Sequence, residues 1–568
     1  MILIRLTLLL SGLVLLVPVA SATSKHELRE PLRQRLELLH ETGMVRVADS
    51  RLLAPGSLHS LYEANAWQPL WFHGLEAVEQ LEHVPATLEL AATQGLDPDH
   101  YHRNALINAL ERLQSANDSE HVPALIDAEL LATDALLSLA HHLAGGRIDP
   151  ESIDPEWFIE REQPELNTSV IRHAMGNKEG RELLESLLPS HPAYHRMVEQ
   201  LALKRELAAN GEWQVVEAGL LLIRPGAQDE RIPTIRRQLA LLDDSLDVSP
   251  DADPETYDEP LEAAVRRFQQ RHGLTVDGII GPQTLAALNV PPAARVEQLR
   301  ANLERWRWLP RSLGEEYILV NIAGFGMQVI SNGEEVMRQR VIVGQPYRRT
   351  PVFTGRMSYL VLNPSWEVPY RLAVRDQLPR IRSNPDYLDD MGFAVLQGWG
   401  AEERRIEPTE IDWDSLSPRH FPYRLRQAPG PDNALGRVKF MFPNHHNVYL
   451  HDTPARELFG QHERAFSSGC IRLEDADELA RWLLAGRSEL MSEERIESTW
   501  SHGRETTVRL DRQLPVYLLY WTAWVGDDDQ VHFRRDIYQR DQRLIEALNT
   551  PPPSPESPDT ALTGGHDA

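Results

Sequence analysis

From about Ser24 to Ile223, apolar residues recur at helical spacing among charged ones, with few strand signals. The clearest run is DAELLATDALLSLAHHLAGGRIDP. Leu130, Leu131, Ala135, Leu136, Leu139 and Leu143 share one broad face, and Gly145-Gly146 ends the helix. The pair His141-His142 near its end points about 100° apart and cannot easily share one ion, so both read as helix-end residues favoured by the dipole. A smaller helical pattern follows. Leu261, Ala264, Val265 and Phe268 stand at i, i+3, i+4, i+7; Gly273 closes that helix, Asp277-Gly278 is a turn, and Pro282 opens the next. Pro292 to Pro310 reads as a connecting helix.

The period then changes from helical to alternating. Tyr317–Asn321, Phe325–Ile330 and Val336–Val343 read as strands, with Asn332-Gly333 as a hairpin turn. YLVLNP is another strand. Residues 363–415 interrupt the pattern, but Trp366, Trp399 and Trp413 supply apolar anchors, which predicts an ordered lid over a groove. Strands return at Val438–Met441 and Asn447–His451, and a last pair lies near the C-terminus. The whole predicts a multidomain α+β chain. It divides into a helical domain (23–225), a small helical module (226–292), a connecting helix (293–312) and a mostly-β domain (313–535) with its insert at about 363–415. The Pro- and Ser-rich tail 550–568 is predicted to be disordered.

The N-terminus alters how the rest is read. Arg5, the apolar stretch Leu6–Val19 and Ala20-Ser21-Ala22 form a cleavable secretory signal, residues 1–22. An uncleaved anchor is the alternative, but the apolar run is short for a bilayer span. The mature chain is then expected to be soluble, in an oxidising compartment, and it has one cysteine, Cys470, with no partner for a disulfide. Net charge is −26 over 568 residues, and nearly all basic side chains are Arg. That balance argues against nucleic acid, whose phosphates need a basic face, and against simple adhesion to anionic lipid.

The stretch AFSSGCIRLE surrounds that thiol. Ser467, Ser468 and Gly469 are small and let a substrate approach the backbone; Ile471-Arg472-Leu473 alternates like a short strand; Asp475 with Glu478 opens a helix as a capping box. Arg472 and the helix N-terminus make positive surroundings that favour thiolate. A nucleophile needs a base, and His451 ends a strand 19 positions upstream. Asp452 adjoins it but points to the opposite face, so a backbone carbonyl is the expected orienter of the imidazole.

The string YLHDTPARELFGQHERAFSSGCIRLED resembles the active-site segment of the L,D-transpeptidases, cysteine enzymes that cross-link peptidoglycan. Its pattern is met at His451, Ser467, Ser468, Gly469, Cys470, Ile471 and Arg472, with Ser468 where many members carry histidine. VIVGQPYRRTPVFTG resembles the family's strand and turn, and V-D-G-x-x-G-P-x-T-x-x-A-L at Val276 to Leu288 resembles the three-helix peptidoglycan-binding domain. LNPSWEVPYRLAVRDQLPRIRSNPDYLDDMGF and YRLRQAPGPDNALGRVKFMFPN resemble the long periplasmic subclass with a capping insert.

The resemblance implies Cys470 as nucleophile, His451 as base and the carbonyl of Asp452 as its orienter. It implies the Cys470 amide, beside Gly469, and the Tyr449 hydroxyl as oxyanion donors, and Arg472, Trp366, Asn444, Ser467 and Ser468 along the substrate groove. It further implies a periplasmic enzyme without metal or organic cofactor. The expected partners are peptidoglycan stem peptides and glycan, with other cell-wall synthases, and the membrane is met only through the uncleaved signal. The expected reaction is 3→3 cross-linking with release of D-Ala. Alternatives are an L,D-carboxypeptidase that trims tetrapeptides, a non-catalytic wall-binding scaffold, or a zinc peptidase built on His445, His446, His451 and His462, for which no firm ligand spacing appears.

Overall fold

Two long helices organise the N-terminal region: α1 (Asp118–Gly145) and α2 (Pro192–Ala209). The computed structural model describes residues 26–42, 46–73, 76–77, 79–161, 180–211, 213–219, 222–242, 253–485, 492–526 and 528–552. The expected signal peptide and residues 553–568 of the expected disordered tail lie outside the described residues. Asn117 caps α1 by accepting the backbone N–H groups of Ser119 and Glu120, and Gly146 stops it at φ +83°. The predicted apolar face of α1 is buried, and so are Glu129, Thr133 and Asp134 on the same helix. These polar groups dock loops: Asp134 accepts from the amides of Leu53 and Ala54, and Glu129 from those of Leu70 and Trp71 and from the Tyr62 hydroxyl. His142 departs from the dipole reading. It is buried against the Tyr101 hydroxyl at 2.9 Å, and burial holds it well below the usual imidazole range, so it is neutral at neutral pH.

The module has its own small core on three helices, α3 (Ile232–Leu242), α4 (Glu259–Arg271) and α5 (Pro282–Leu288). Asp258 caps α4, Gly273 follows it at φ +63°, and Pro282 opens α5. The next helix, α6 (Pro292–Arg307), is more than the expected connector. It runs between α2 and a C-terminal helix with its charged residues inside. Arg307 and Glu304 are fully buried as a pair at 2.7 Å, and Arg305 meets Asp541 at 2.6 Å. Such pairs hold only because each guanidinium finds a carboxylate. Trp306 stacks on Trp521 with centroids 4.5 Å apart.

The mostly-β domain is one sheet curled into a ring. Its members are β1 (Trp157–Phe158), β2 (Glu316–Asn321), β3 (Gly326–Ser331), β4 (Glu334–Gly344) and β5 (Val352–Leu362). After the insert come β10 (Val438–Met441), β11 (Leu450–His451), β12 (Ala465–Ser467), β13 (Ile471–Leu473) and β14 (Thr506–Leu519). The predicted hairpin of β2, β3 and β4 is present, with Asn332-Gly333 both at positive φ. Because β10 pairs with both β11 and β5, the sheet closes. The helical region lends it β1, parallel to β5. Helix α7 (Ala476–Leu484) packs against β10, and α8 (Asp541–Asn549) is the last helix. The domain therefore extends past residue 535: the Tyr538 hydroxyl donates to the Gly344 carbonyl at 2.6 Å, and α8 packs on α6.

The insert is longer than 363–415. Its four-stranded sheet runs β6 (Trp366–Glu367), β9 (Arg424–Gln427), β7 (Phe393–Gln397), β8 (Arg404–Ile406), so the central strand β9 lies beyond the expected end. Residues 407–423 separate it from β8, and its four residues carry too little pattern to read as a strand. A core of Val374, Leu378, Ile381, Phe393, Val395 and Leu425 gives it an interior separate from the ring.

Candidate active site

Cys470 lines a groove of about 940 Å³ between the ring and the insert. Gly469, at φ +119°, makes a turn that side-chain-bearing residues rarely adopt, and β13 begins immediately after the cysteine. β13 runs parallel to β11, with Leu450 opposite Ile471 and His451 opposite Arg472. The Ile471 amide donates to the Tyr449 carbonyl at 3.1 Å. That pairing places His451 beside the thiol's own strand, and both side chains line the groove.

His451 is buried, with Nδ1 2.5 Å from the Asp452 carbonyl. A carbonyl only accepts, so Nδ1 carries the proton and Nε2 is left as a bare acceptor. The Asp452 carboxylate turns the other way, accepting from the Arg437 amide and pairing with Arg456. Only glycine fits opposite it: a Cβ on Gly436 would lie 2.2 Å from that carboxylate. Burial first, and the nearby Arg472 second, push His451 down to about 3.

The thiol departs from the thiolate expectation. Its side chain is half-buried, and burial pushes Cys470 up despite Tyr449, Lys439 and Arg472 nearby. Desolvation outweighs the positive neighbours, which favours a thiol beside a neutral imidazole. The Sγ donates toward the Asn447 carbonyl at 3.7 Å. The Tyr449 hydroxyl lies near the thiol and the Trp366 indole, and burial first, with Cys470 second, raises it well above the usual phenol range. Lys439, one of the chain's four lysines, sets its ammonium 3.9 Å from the centroid of the Tyr449 ring.

Arg472 and Trp366 line the groove, and Arg472 Nε is buried without a hydrogen-bond partner among the described residues. Ser467 spends its hydroxyl inside the turn, donating to the Cys470 carbonyl at 2.5 Å and accepting from the Gly469 amide at 3.1 Å. Ser468 accepts from Arg348 at 2.9 Å. Asn444 is a correction. Its side chain braces its own loop, donating to the carbonyls of Phe442 and Val448 and accepting from the amides of His446 and Val448, and it is Asn447 that borders the groove.

The remaining histidines disperse: His446 packs on Phe158, and His462 faces Thr275. Among the described residues no group of three His, Cys, Asp or Glu side chains is placed to hold a metal ion.

Four contributors were given no role from the sequence, although the resemblance to the family's strand and turn includes Thr350. Thr350 donates to the Gly469 carbonyl and accepts from the Gly344 amide, each at 2.9 Å, so it clamps the turn before the cysteine. The signal was present in the strand-and-turn VIVGQPYRRTP. Arg348, Asp376 and Lys439 carried no local signal, because each acts across a gap of many residues.

Comparison with known proteins agrees with this geometry. Residues 315–497 match the family described as "L,D-transpeptidase catalytic domain", residues 228–288 "Putative peptidoglycan binding domain", and residues 56–201 "Scaffold domain". Three successive stretches of the chain thus match a scaffold domain, a peptidoglycan-binding domain and an L,D-transpeptidase catalytic domain. A Haemophilus influenzae protein named "Putative L,D-transpeptidase" is 38% identical over 257 residues, 44% of this chain; the match spans 49% of that relative's length. Among solved structures, an L,D-transpeptidase from Mycobacterium smegmatis is 14% identical over 36% of this chain and 58% of its own, with a TM-score of 0.16. One from Stackebrandtia nassauensis is 13% identical over 52% and 94%, with a TM-score of 0.21. Likenesses that loose carry no weight. No helix among the described residues is long and apolar enough to cross a membrane.

Proposed function

We propose that this protein is a periplasmic L,D-transpeptidase that forms 3→3 cross-links in peptidoglycan. The observation that carries the reading is the His451 Nδ1–Asp452 carbonyl bond, which leaves Nε2 bare in the groove that holds the single thiol. As the Cys470 sulfur attacks the carbonyl between the diamino acid at stem position 3 and D-Ala at position 4, its proton passes to His451 Nε2. The Cys470 amide and the Tyr449 hydroxyl donate to the developing oxyanion, a contribution often worth about 3 kcal/mol. The tetrahedral intermediate collapses, the C–N bond breaks, and D-Ala leaves with the proton from His451. A side-chain amine of a neighbouring stem then attacks the thioester carbonyl and loses a proton to His451; the C–S bond breaks, and the sulfur takes that proton to become the thiol again.

Burial moves the two pKa values apart, His451 down and Cys470 up, which favours an uncharged resting pair, so proton transfer accompanies attack. Arg472 and Trp366 border the donor stem, and the insert shelters the thioester from water. The signal peptide at 1–22 delivers the chain to the wall, the module at 226–292 holds it there, and carbapenems acylate Cys470. Trimming of tetrapeptides by water in place of the amine is the same chemistry with a different acceptor. The test is to express the protein in a host lacking such enzymes and digest its walls. Appearance of 3→3 dimers supports cross-linking; tripeptides without dimers favour the hydrolase.

A further inference from the structure

A second cleft, of about 320 Å³, opens where the peptidoglycan-binding module meets the catalytic domain. The module side presents Leu274, Ala286 and Ala287, and the catalytic side Phe325 and Phe533, so the floor is apolar. Two guanidiniums enter it. Arg295 lies 4.5 Å from the Phe533 ring centroid, and Arg534 lies 4.7 Å from that of Trp524. Arg295 donates to the Gln298 side chain and the Ala287 carbonyl; Arg534 donates, through one terminal nitrogen, to the carbonyls of Arg271 and Phe533.

No carboxylate among the described residues pairs with either. The carboxylate in the wall, Glu463, is taken by Arg535. Arg464, just behind, also bonds only to carbonyls, those of Val341, Gln461 and Phe325. Burial pushes Arg295 and Arg534 down to about 10, and Arg464 adds to the effect on Arg534. A half-buried cation without a counter-charge is costly. This chain carries an excess of 26 negative charges, yet none is spent here.

We propose that this cleft is a second peptidoglycan site, which binds a carboxylate of a stem peptide on Arg295 and Arg534 and its alanine methyls on the apolar floor. The proposal rests on the peptidoglycan reading above but not on the chemistry at Cys470. Arg464 directly precedes β12, the strand that leads to Ser467 and the thiol. One short segment links the two, since His462 and Glu463 line the cleft and Phe466 to Ser468 line the groove, and a stem held in the cleft keeps the enzyme on the strand whose neighbour it processes.

The test uses the full chain with Arg534→Gln and, separately, Arg295→Gln. Two quantities are measured: cosedimentation with intact sacculi, and turnover of a short soluble tetrapeptide that occupies the groove alone. Loss of one charge-assisted contact is expected to weaken sedimentation roughly tenfold, with turnover within about twofold of wild type. Amidating the sacculus carboxylates should weaken wild-type binding equally and abolish the difference between wild type and variants. Arg534→Lys, which keeps the charge, should restore part of the binding. Undiminished sedimentation of both variants, or wild-type binding indifferent to amidation, overturns the proposal. The amidation arm decides even where a variant fails to fold. Absent turnover in the wild type would instead sink the catalytic reading, leaving the sedimentation result to stand alone.

Discussion

Arg348 and Asp376 form a two-point ion pair, 2.6 and 2.8 Å, that ties the insert to the rim of the active site. The same guanidinium donates to Ser468, two residues before the thiol. Both members are partly exposed, so the pair is worth little to global stability, about 1 kcal/mol or less. Its consequence is local: it fixes the insert over the groove. Asp376→Asn should leave the melting temperature nearly unchanged. It should raise hydrolysis relative to cross-linking, read as the ratio of tripeptide to 3→3 dimer from a tetrapeptide substrate. An unchanged ratio would remove the insert from acceptor selection.

Thr350 is buried and holds both the Gly469 carbonyl and the Gly344 amide. Thr350→Val keeps the shape and strands both groups. The expected cost is about 1–3 kcal/mol, seen as a lower melting temperature. Activity should fall further than stability explains, because the turn carrying Cys470 loosens. Wild-type activity in the valine variant would show that the turn holds itself.

Titration separates a neutral pair from an ion pair. With Cys470 raised above its ordinary 9.0, alkylation of the free enzyme by iodoacetamide should climb only above about pH 9. An inflection between pH 5 and 7 would mean a thiolate–imidazolium pair instead. His451 also couples to folding. Its folded value, about 3, lies below the unfolded 6.5, so the unfolded chain binds the extra proton between them. Its contribution is fully present above pH 6.5 and is lost as pH falls toward about 3. A His451→Gln variant should show a shallower loss of stability over that window.

Cys470 and His451 were legible because their signals are local: a Gly-flanked turn ahead of a capped helix, and a strand-end imidazole. The ring's hairpins were legible for the same reason, in alternation and in Asn332-Gly333. What was not legible depends on distance in sequence. The charged run of α6 read as a connecting helix, yet Arg305 is buried because Asp541, far along the chain, meets it, and Arg307 is buried as a pair with Glu304. β1 joins the sheet from the helical region through two residues, too few for a pattern. Arg472 beside the thiol is visible in sequence, whereas the burial that pushes Cys470 up is a property of the folded groove. Lys439 reaches Tyr449 only because β10 and β11 pair.

The central claim, that Cys470 carries the stem as a thioester, is tested most directly by intact-protein mass spectrometry. The enzyme is quenched in acid during turnover of a tetrapeptide muropeptide without an acceptor. The account predicts an adduct equal to the donor less D-Ala, mapped to Cys470. It should be absent in Cys470→Ala and slowed roughly 10²–10⁴-fold in His451→Ala. Adding an acceptor stem should discharge it to a 3→3 dimer. Turnover at the wild-type rate by Cys470→Ala, or an adduct on any other residue, would contradict it.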